Sequence, residues 1–174
     1  MAVALACAAP VRAQRAGDGV WLSAGAGVGW GRVSCDICQT TRDIGPGGYA
    51  RVGTTIHPGV RVAAEASAWT HQVEDERENL GAVMAVLYLQ PPESRLFVKG
   101  GLGYIGYRAG EDIALNSAGL QVGGGFEFQL GGFALNNYIN LIGSSFGNLK
   151  NGSDTIANDV STTLLQFGVG FTMR

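Results

Sequence analysis

The sequence lacks both a long hydrophobic run and a concentration of charge. No stretch approaches the roughly 20 consecutive apolar residues that a transmembrane helix requires, so a membrane could be crossed only by strands. Charged residues make up 15% of the 174 residues, the formal net charge is −2, and Lys and Arg are scattered. Since no basic patch is formed, nucleic acid is not an expected partner.

Glycine and apolar residues are plentiful instead. The chain has 28 glycines and 46% hydrophobic residues, and this glycine share is about twice the usual value for a globular protein. The length suits one domain with a sizeable core. Residues 1–13 combine an apolar run with a small-residue site ending at Ala13, which predicts a partial signal peptide. We therefore expect one domain over residues 14–174.

Eight segments with period-two alternation follow residue 18, and none has a helical period. They are Val20 to Val33, Gly48 to Ile56, Val60 to Trp69, Leu80 to Gln90, Leu96 to Arg108, Ser117 to Leu130, Phe133 to Ser145 and Ser161 to Met173. The connections alternate between short turns and longer polar loops, as they do in transmembrane barrels with short periplasmic turns and long external loops. The pattern predicts an all-β fold: an eight-stranded antiparallel up-and-down transmembrane β-barrel.

The parity of the short turns supports the same fold, since directly opposed residues in an antiparallel pair share a face. A two-residue turn at 131–132 places Leu130 opposite Phe133, on an apolar outer face. A three-residue turn at 57–59 sets Ile56 against Val60 and brings Arg51 opposite Glu65 inside. A turn over 91–94 sets Leu89 against Leu96 and Val86 against Lys99.

The last segment carries a more specific motif. Gln166, Gly168, Phe171 and Met173 follow the order polar, glycine, hydrophobic, hydrophobic, which resembles the C-terminal assembly signal of outer-membrane barrels. Everything after residue 18 resembles the small outer-membrane β-barrel family of the OmpA/OmpX type. That resemblance implies a place in the bacterial cell outer membrane, contact with its lipid and lipopolysaccharide, and recognition by the barrel-assembly machinery.

The interior of an eight-stranded barrel is only wide enough for side chains to fill. Alternation places charged residues of both signs there, beside many glycines. The expected lumen polar network contains Arg51, Arg61, Glu65, Lys99 and Glu127. Two interpretations remain open: a plug in which charges pair with one another, or a gated ion path or proton relay.

Residues able to carry other chemistry are few. Cys35 and Cys38 form a CxxC pair in the first long loop, which indicates a local disulfide, although a redox motif or half of a zinc site has the same spacing. Of the two histidines, His57 and His71, only His71 lies near the external rim where a barrel hydrolase needs one. Its acidic neighbours, Glu74 and Asp75, are commonplace in loops.

The sequence therefore predicts a small outer-membrane barrel with a structural or surface-interaction role, most simply a monomer, that is not an enzyme and uses no cofactor or metal. Two other functions remain: a narrow transport or ligand-binding barrel, and a lipid-modifying enzyme at the rim. Fold alone does not choose among them.

Overall fold

A computed structural model describes residues 19–35, 42–73, 76–110, 113–152 and 154–174, apart from the side chains of Val73 and Phe146. Within these ranges no helix is long and apolar enough to cross a membrane. The predicted signal peptide, residues 1–13, lies outside the described residues.

Eight antiparallel strands form one closed sheet. They are β1 (Val20–Ser34), β2 (Asp43–His57), β3 (Val60–Val73), β4 (Glu76–Leu89), β5 (Leu96–Ala109), β6 (Ile113–Leu130), β7 (Phe133–Asn151) and β8 (Asp154–Met173). Each strand pairs with its sequence neighbours, and β1 pairs with β8, where Leu22 opposes Met173. The predicted eight-stranded up-and-down barrel is confirmed. Because the sheet is closed, it has no open edge within these eight strands.

Several strands are longer than the alternation indicated. β8 begins at Asp154 and not at Ser161, and β7 continues to Asn151 and not to Ser145. The predicted loop over residues 146–160 is thus largely a hairpin, closed at Gly152 with φ of 59°. The predicted strand ends were wrong because they were placed where the outward residues stop being apolar. Backbone pairing continues where the outward face is predominantly polar, since the ladder needs only main-chain donors and acceptors.

Two of the three predicted registers hold in the body of the sheet. Leu130 opposes Phe133, and Arg51 opposes Glu65. Near the turn at 57–59, however, Val60 opposes His57 and not Ile56, because a bulge lies between Thr55 and His57. Gly59 has φ of 86°, as the turn requires.

The register between β4 and β5 differs from the prediction by two residues. Leu89 opposes Val98 and not Leu96, and Tyr88, not Val86, opposes Lys99. The connection is longer than 91–94, because β4 ends at Leu89 and β5 begins at Leu96. A shift of two keeps every side chain on its expected face.

The outer wall carries a continuous apolar band. Leu102, Leu120 and Val169 lie in the middle of their strands yet are 66%, 67% and 70% exposed. On each strand the outward residues remain predominantly apolar over about nine positions, which matches the length of a tilted transmembrane strand. We call this the lipid-facing band. On six strands its upper limit is marked by the outward residues Arg32, Thr70, Asn79, Arg108, Asn116 and Thr163.

Aromatic side chains flank the band. Phe133 and Phe171 lie 5.1 Å apart, between ring centroids, near the end where β1 begins and β8 ends, and Trp30 stacks on Phe167 at 5.2 Å nearer the other end. Tyr104 is outward and 56% exposed. The amphipathic rings of Trp30 and Tyr104 favour the headgroup level of a membrane. By analogy with transmembrane β-barrels, the end with the short turns is called periplasmic and the opposite end external.

Glycine allows neighbouring strands and their side chains to approach closely. At Gly125 on β6, a Cβ atom would lie 1.9 Å from the Asn137 carbonyl oxygen and 3.0 Å from the Phe97 ring. The first contact is with backbone, so it can be relieved only by moving β7 away. At Gly132, in the β6 to β7 turn, a Cβ atom would meet nothing within 4 Å.

Gly125→Ala is expected to destabilise the barrel by about 1–3 kcal/mol, the usual cost of overpacking, whereas the control Gly132→Ala should have little effect. Closed barrels resist unfolding in detergent, so boiled and unboiled samples should migrate differently on a gel. Gly125→Ala should show a smaller fraction of the unboiled, folded band in increasing urea. Equal folded fractions for the two variants would contradict this account of the close approach.

Candidate functional site: the filled barrel interior

Glu65 is the centre of a buried hydrogen-bond network. Its carboxylate is fully buried and accepts bonds from Lys99 Nζ at 2.6 and 2.7 Å, the Tyr88 hydroxyl at 2.5 Å and Gln121 Nε2 at 2.6 Å. The Ser67 hydroxyl lies within 3.4 Å. A buried carboxylate is tolerated only with such partners, because its desolvation otherwise costs several kcal/mol.

Arg51 brings a second cation to this carboxylate. Its Nη1 lies 3.5 Å from Glu65 Oε2 and donates to the Tyr88 hydroxyl at 2.9 Å. Its Nη2 donates to the Tyr49 hydroxyl at 2.9 Å, and the guanidinium carbon lies 4.2 Å from the centre of the Tyr49 ring. The two tyrosines therefore supply both hydroxyl acceptors and aromatic faces to the positive charge.

The network then crosses to the other side of the barrel. The Tyr49 hydroxyl donates to Asn136 Oδ1 at 2.9 Å, Asn136 Nδ2 donates to the Thr172 hydroxyl at 3.3 Å, and Thr172 donates to Ser23 at 2.9 Å. Every strand contributes at least one side chain. From β1 to β8 these are Ser23, Tyr49 and Arg51, Glu65 and Ser67, Tyr88, Lys99, Gln121, Asn136, and Thr172.

A second cluster lies nearer the periplasmic end. Arg61 Nη1 is 3.3 Å from Glu127 Oε2, and Arg61 Nη2 donates to Gln90 Oε1 at 2.6 Å. Glu127 also accepts from Gln129 at 3.0 Å and pairs with Arg174. These groups line a cavity of about 670 Å³ that opens at the periplasmic mouth.

The structure thus places all five residues of the predicted lumen network inside the barrel, in two groups. Arg51, Glu65 and Lys99 meet in one, and Arg61 and Glu127 pair in the other.

Sequence reasoning missed the tyrosines of the first group and the glutamine that also binds Glu65. The inward position of Tyr88 could have been predicted, because Tyr88 lies two residues after the inward Val86 and therefore on the same face of β4. This position was not recognised because β4 is apolar on both faces.

The external part of the interior is mainly apolar and carries no buried charge among the described residues, contrary to the expectation of a charged lumen. Trp69 is 3% exposed and donates from Nε1 to the Gly29 carbonyl at 3.0 Å. Around it lie fully buried aliphatic side chains from five strands. These are Leu80, Ile105, Leu115, Ile142 and Leu164. We call this group with Trp69 the apolar plug. The expectation failed because it was based on the polar, charged and glycine residues of the inward pattern and did not include the inward aliphatic ones.

The residues of the predicted assembly signal fall on both faces of β8. Gln166 is fully buried and donates to the Ala68 carbonyl at 2.9 Å, while Phe171 and Met173 are outward and 39% and 51% exposed. At Gly168, a Cβ atom would lie 2.2 Å from the Ala26 carbonyl oxygen. Recognition of these residues by the assembly machinery stays a prediction.

The remaining predicted residues lie toward the ends of the barrel. Cys35 is disulfide-bonded, but Cys38 lies outside the described residues, so their pairing stays a prediction. His71 Nδ1 is 2.8 Å from the Ile44 carbonyl oxygen, and its Nε2 is 3.9 Å from Asp43. His57 lies at the periplasmic end, within 3.0 Å of the Pro58 carbonyl.

The acidic neighbours of His71 named above, Glu74 and Asp75, also lie outside the described residues. Within the described ranges no group of three or more His, Cys, Asp or Glu could hold a metal ion.

An apolar outer band, a closed antiparallel sheet of eight strands and an interior filled by side chains define a small transmembrane β-barrel. The chain belongs to the family of the outer membrane protein beta-barrel domain, whose model matches residues 1–172. The protein is therefore located in the bacterial outer membrane. Among curated proteins, none matches the sequence.

Solved structures share the fold. Neisserial surface protein A is 17% identical in sequence and has a TM-score of 0.59. The match covers 87% of this chain and 95% of that chain. Ail, the attachment invasion locus protein of Yersinia pestis, is 15% identical, with a TM-score of 0.56 and coverage of 88% and 98%. A second Ail structure, in complex with the heparin analogue sucrose octasulfate, has the same identity and TM-score and coverage of 88% and 99%.

Glu65→Gln is expected to lower the free energy of unfolding by about 3–5 kcal/mol, because Lys99 and Arg51 would keep buried charges without a counterion. Adding Lys99→Met should recover part of that loss, since only one buried cation then remains. The control is Glu76→Gln, at an exposed position. Urea midpoints in lipid vesicles, followed by tryptophan fluorescence, measure the differences. A midpoint for Glu65→Gln equal to that of the control would show that the network does not stabilise the barrel.

Proposed function

We propose that this protein is a structural or surface-interaction barrel of the outer membrane, with its interior closed by side chains and its external strands presented to the surroundings. Its partners in this proposal are outer-membrane lipid and lipopolysaccharide and, during biogenesis, the barrel-assembly machinery. It acts as a monomer. The observation that carries the proposal is the filling of the barrel at two successive levels.

The two levels differ in chemistry. Toward the periplasmic side, the network around Glu65 takes side chains from all eight strands and leaves its carboxylate fully buried. Toward the external side, the apolar plug contributes Trp69, Leu164 and other side chains that are 3% exposed or less. An ion would have to cross an apolar layer and displace paired charges, and both steps are costly. A surface role is therefore favoured over transport.

The external strands supply the surface. β6, β7 and β8 have 18, 19 and 20 residues, whereas the other five have 14 or 15. Beyond the lipid-facing band they continue as paired strands whose exposed positions include Asn148, Lys150, Thr155 and Asn158. A paired hairpin holds these polar groups in fixed positions. The similar structures include a surface protein and an attachment protein, and we extend a surface role to this chain.

The rim-enzyme alternative depends on His71, and its surroundings do not favour catalysis. The imidazole stacks on Trp69, with ring centroids 5.9 Å apart, and lies within reach of a backbone carbonyl on one side and of Asp43 on the other. Nδ1 is thus within hydrogen-bond distance of a backbone carbonyl, and Nε2 faces a carboxylate and not a hydroxyl nucleophile. A general base needs a nucleophile within hydrogen-bond reach, and among the described residues no serine makes such a contact with His71. We infer that the protein is not an enzyme.

The pure protein in planar lipid bilayers is expected to show no discrete conductance steps, because the interior is filled at both levels. A wide porin, measured in the same bilayers, is the positive control. Reproducible steps from folded protein, whose fold is checked by gel mobility, would overturn the closed-barrel part of the proposal and favour the transport alternative.

The hairpin of β7 and β8 is expected to be accessible from outside the cell. Asn151→Cys, at the exposed tip, should react with a membrane-impermeant maleimide on intact cells. Arg95→Cys, exposed near the opposite mouth, should react only after the outer membrane is permeabilised. The unsubstituted protein gives the background from its own cysteines. The reverse labelling pattern would contradict the assigned orientation.

A further inference from the structure

The periplasmic mouth of the barrel opens into a cavity of about 670 Å³, a volume within the range of small-ligand sites. Its floor is the buried ion pair of Arg61 and Glu127, which are 7% and 3% exposed. Its apolar walls come from the β4 to β5 connection and from the end of β6, and they consist of Pro91, Pro92, Phe128 and Leu130. Apolar walls around a few polar groups are typical of a site that orients a bound ligand.

Positively charged side chains outnumber negatively charged ones around this cavity, by three to two. They are Arg61, Arg95, Arg174, Glu93 and Glu127. Among the described residues that form this end of the barrel, these five are the only Asp, Glu, Lys or Arg, and His57 is the only histidine. The end comprises residues 19–22, 54–62, 87–98, 126–136 and 171–174. The side chains therefore leave one positive charge in excess, which a monoanion balances.

Two of these arginines have hydrogen-bond donors to spare. Arg95 makes no hydrogen bond or ion pair with any described residue, and its guanidinium carbon lies 5.4 Å from the centre of the Phe128 ring. Arg174 pairs with Glu127, which is also paired with Arg61, and the Arg174 side chain is 41% exposed. A guanidinium group carries five N–H donors. Arg95 and Arg174 can therefore bind an acceptor in the cavity without losing a contact that they now make.

The neutral polar groups of the lining suit a peptide backbone. The Thr55 hydroxyl and the Gln129 amide oxygen have no hydrogen-bond partner among the described residues, while Gln129 Nε2 donates to Glu127 at 3.0 Å. A hydroxyl can donate to a peptide carbonyl, and an amide oxygen can accept from a peptide N–H. The lining thus offers a peptide end one group for its charge, one for each backbone atom and an apolar wall for a side chain.

We propose that this cavity binds the C-terminal carboxylate of a periplasmic peptide. Arg95 and Arg174 hold the carboxylate by paired, charge-assisted hydrogen bonds, and the last peptide unit lies against Thr55 and Gln129. A terminal carboxylate supplies the single negative charge that the lining lacks, and its capture is a recurring mode of peptide recognition. The inference goes beyond the proposed surface role and shares with it only the orientation of the barrel.

The test is isothermal titration of the full barrel in zwitterionic detergent with N-acetyl-alanyl-alanine and with the same dipeptide as its C-terminal amide. The free acid should bind about tenfold more tightly than the amide, because hydrogen bonds to a charged group are the strong ones. Arg95→Gln and Arg174→Gln should each weaken binding of the acid about tenfold. Arg108→Gln, which removes an exposed arginine at the external end, is the matched control and should leave the affinity unchanged.

Glu127→Gln should act in the opposite direction, because it removes the anion with which Arg174 now pairs. The acid should then bind about fivefold more tightly, a gain that general damage to the mouth would not produce. The gel mobility shift shows whether each variant is folded. If Glu127→Gln is not folded, the two arginine variants decide the question, since the Arg95 and Arg174 side chains are not buried.

Equal binding of the acid and the amide, or an unchanged affinity in both arginine variants, would overturn the site. Acetate that binds as tightly as the dipeptide, or inorganic phosphate that displaces the dipeptide at equal concentration, would assign the arginines to a free anion and overturn the peptide assignment. None of these results bears on conductance or on cysteine labelling, so the site can fail while the proposed function stands.

Discussion

Burial of the Glu65 carboxylate is the constraint on which the rest of the interior depends. Its hydrogen-bond donors, Lys99, Tyr88 and Gln121, come from β5, β4 and β6, so they can converge only when the sheet curls around them. A carboxylate left in this position without those donors would cost several kcal/mol. In the membrane, closure is also required because unpaired strand edges cannot exist in hydrocarbon. Backbone pairing and the buried carboxylate therefore both require a closed sheet. In an open sheet, edge groups would be unpaired and the carboxylate would lose its donors.

The charge count around Glu65 is uneven, with two cations, Arg51 and Lys99, for one carboxylate. Tyrosine compensates for the missing anion. The Arg51 guanidinium lies 4.2 Å from the Tyr49 ring centre and 5.1 Å from that of Tyr88, and the Lys99 ammonium lies 5.6 Å from the latter. Aromatic faces carry partial negative charge and need less desolvation than a carboxylate does. The network therefore spreads the second positive charge over two rings and their hydroxyl groups.

Alternation and turn parity were sufficient to predict the fold and the pair of Arg51 with Glu65, because both residues flank one short turn. The contact of Glu65 with Lys99 could not be predicted in this way, since it joins β3 to β5 across β4. Such a contact depends on the stagger of the whole barrel and on side-chain length, and neither can be derived from the register of a single hairpin. The β4 to β5 register failed for a local reason, because proline and serine marked only the middle of a longer connection.

The two halves of the interior place different demands on the sequence. In the network half, each substitution disturbs partners on several strands, because donors and acceptors are matched atom by atom. In the plug half, apart from the hydrogen bond of Trp69 to the Gly29 carbonyl, packing depends mainly on conserved volume, a requirement that apolar cores meet with many combinations of side chains. Above both, the outward residues of the hairpin of β7 and β8 lie beyond the lipid-facing band, while its inward Leu149 and Val160 pack into the apolar core. Freedom to vary is therefore greatest where the protein meets its surroundings, and this is the distribution that a rigid scaffold presenting a surface requires.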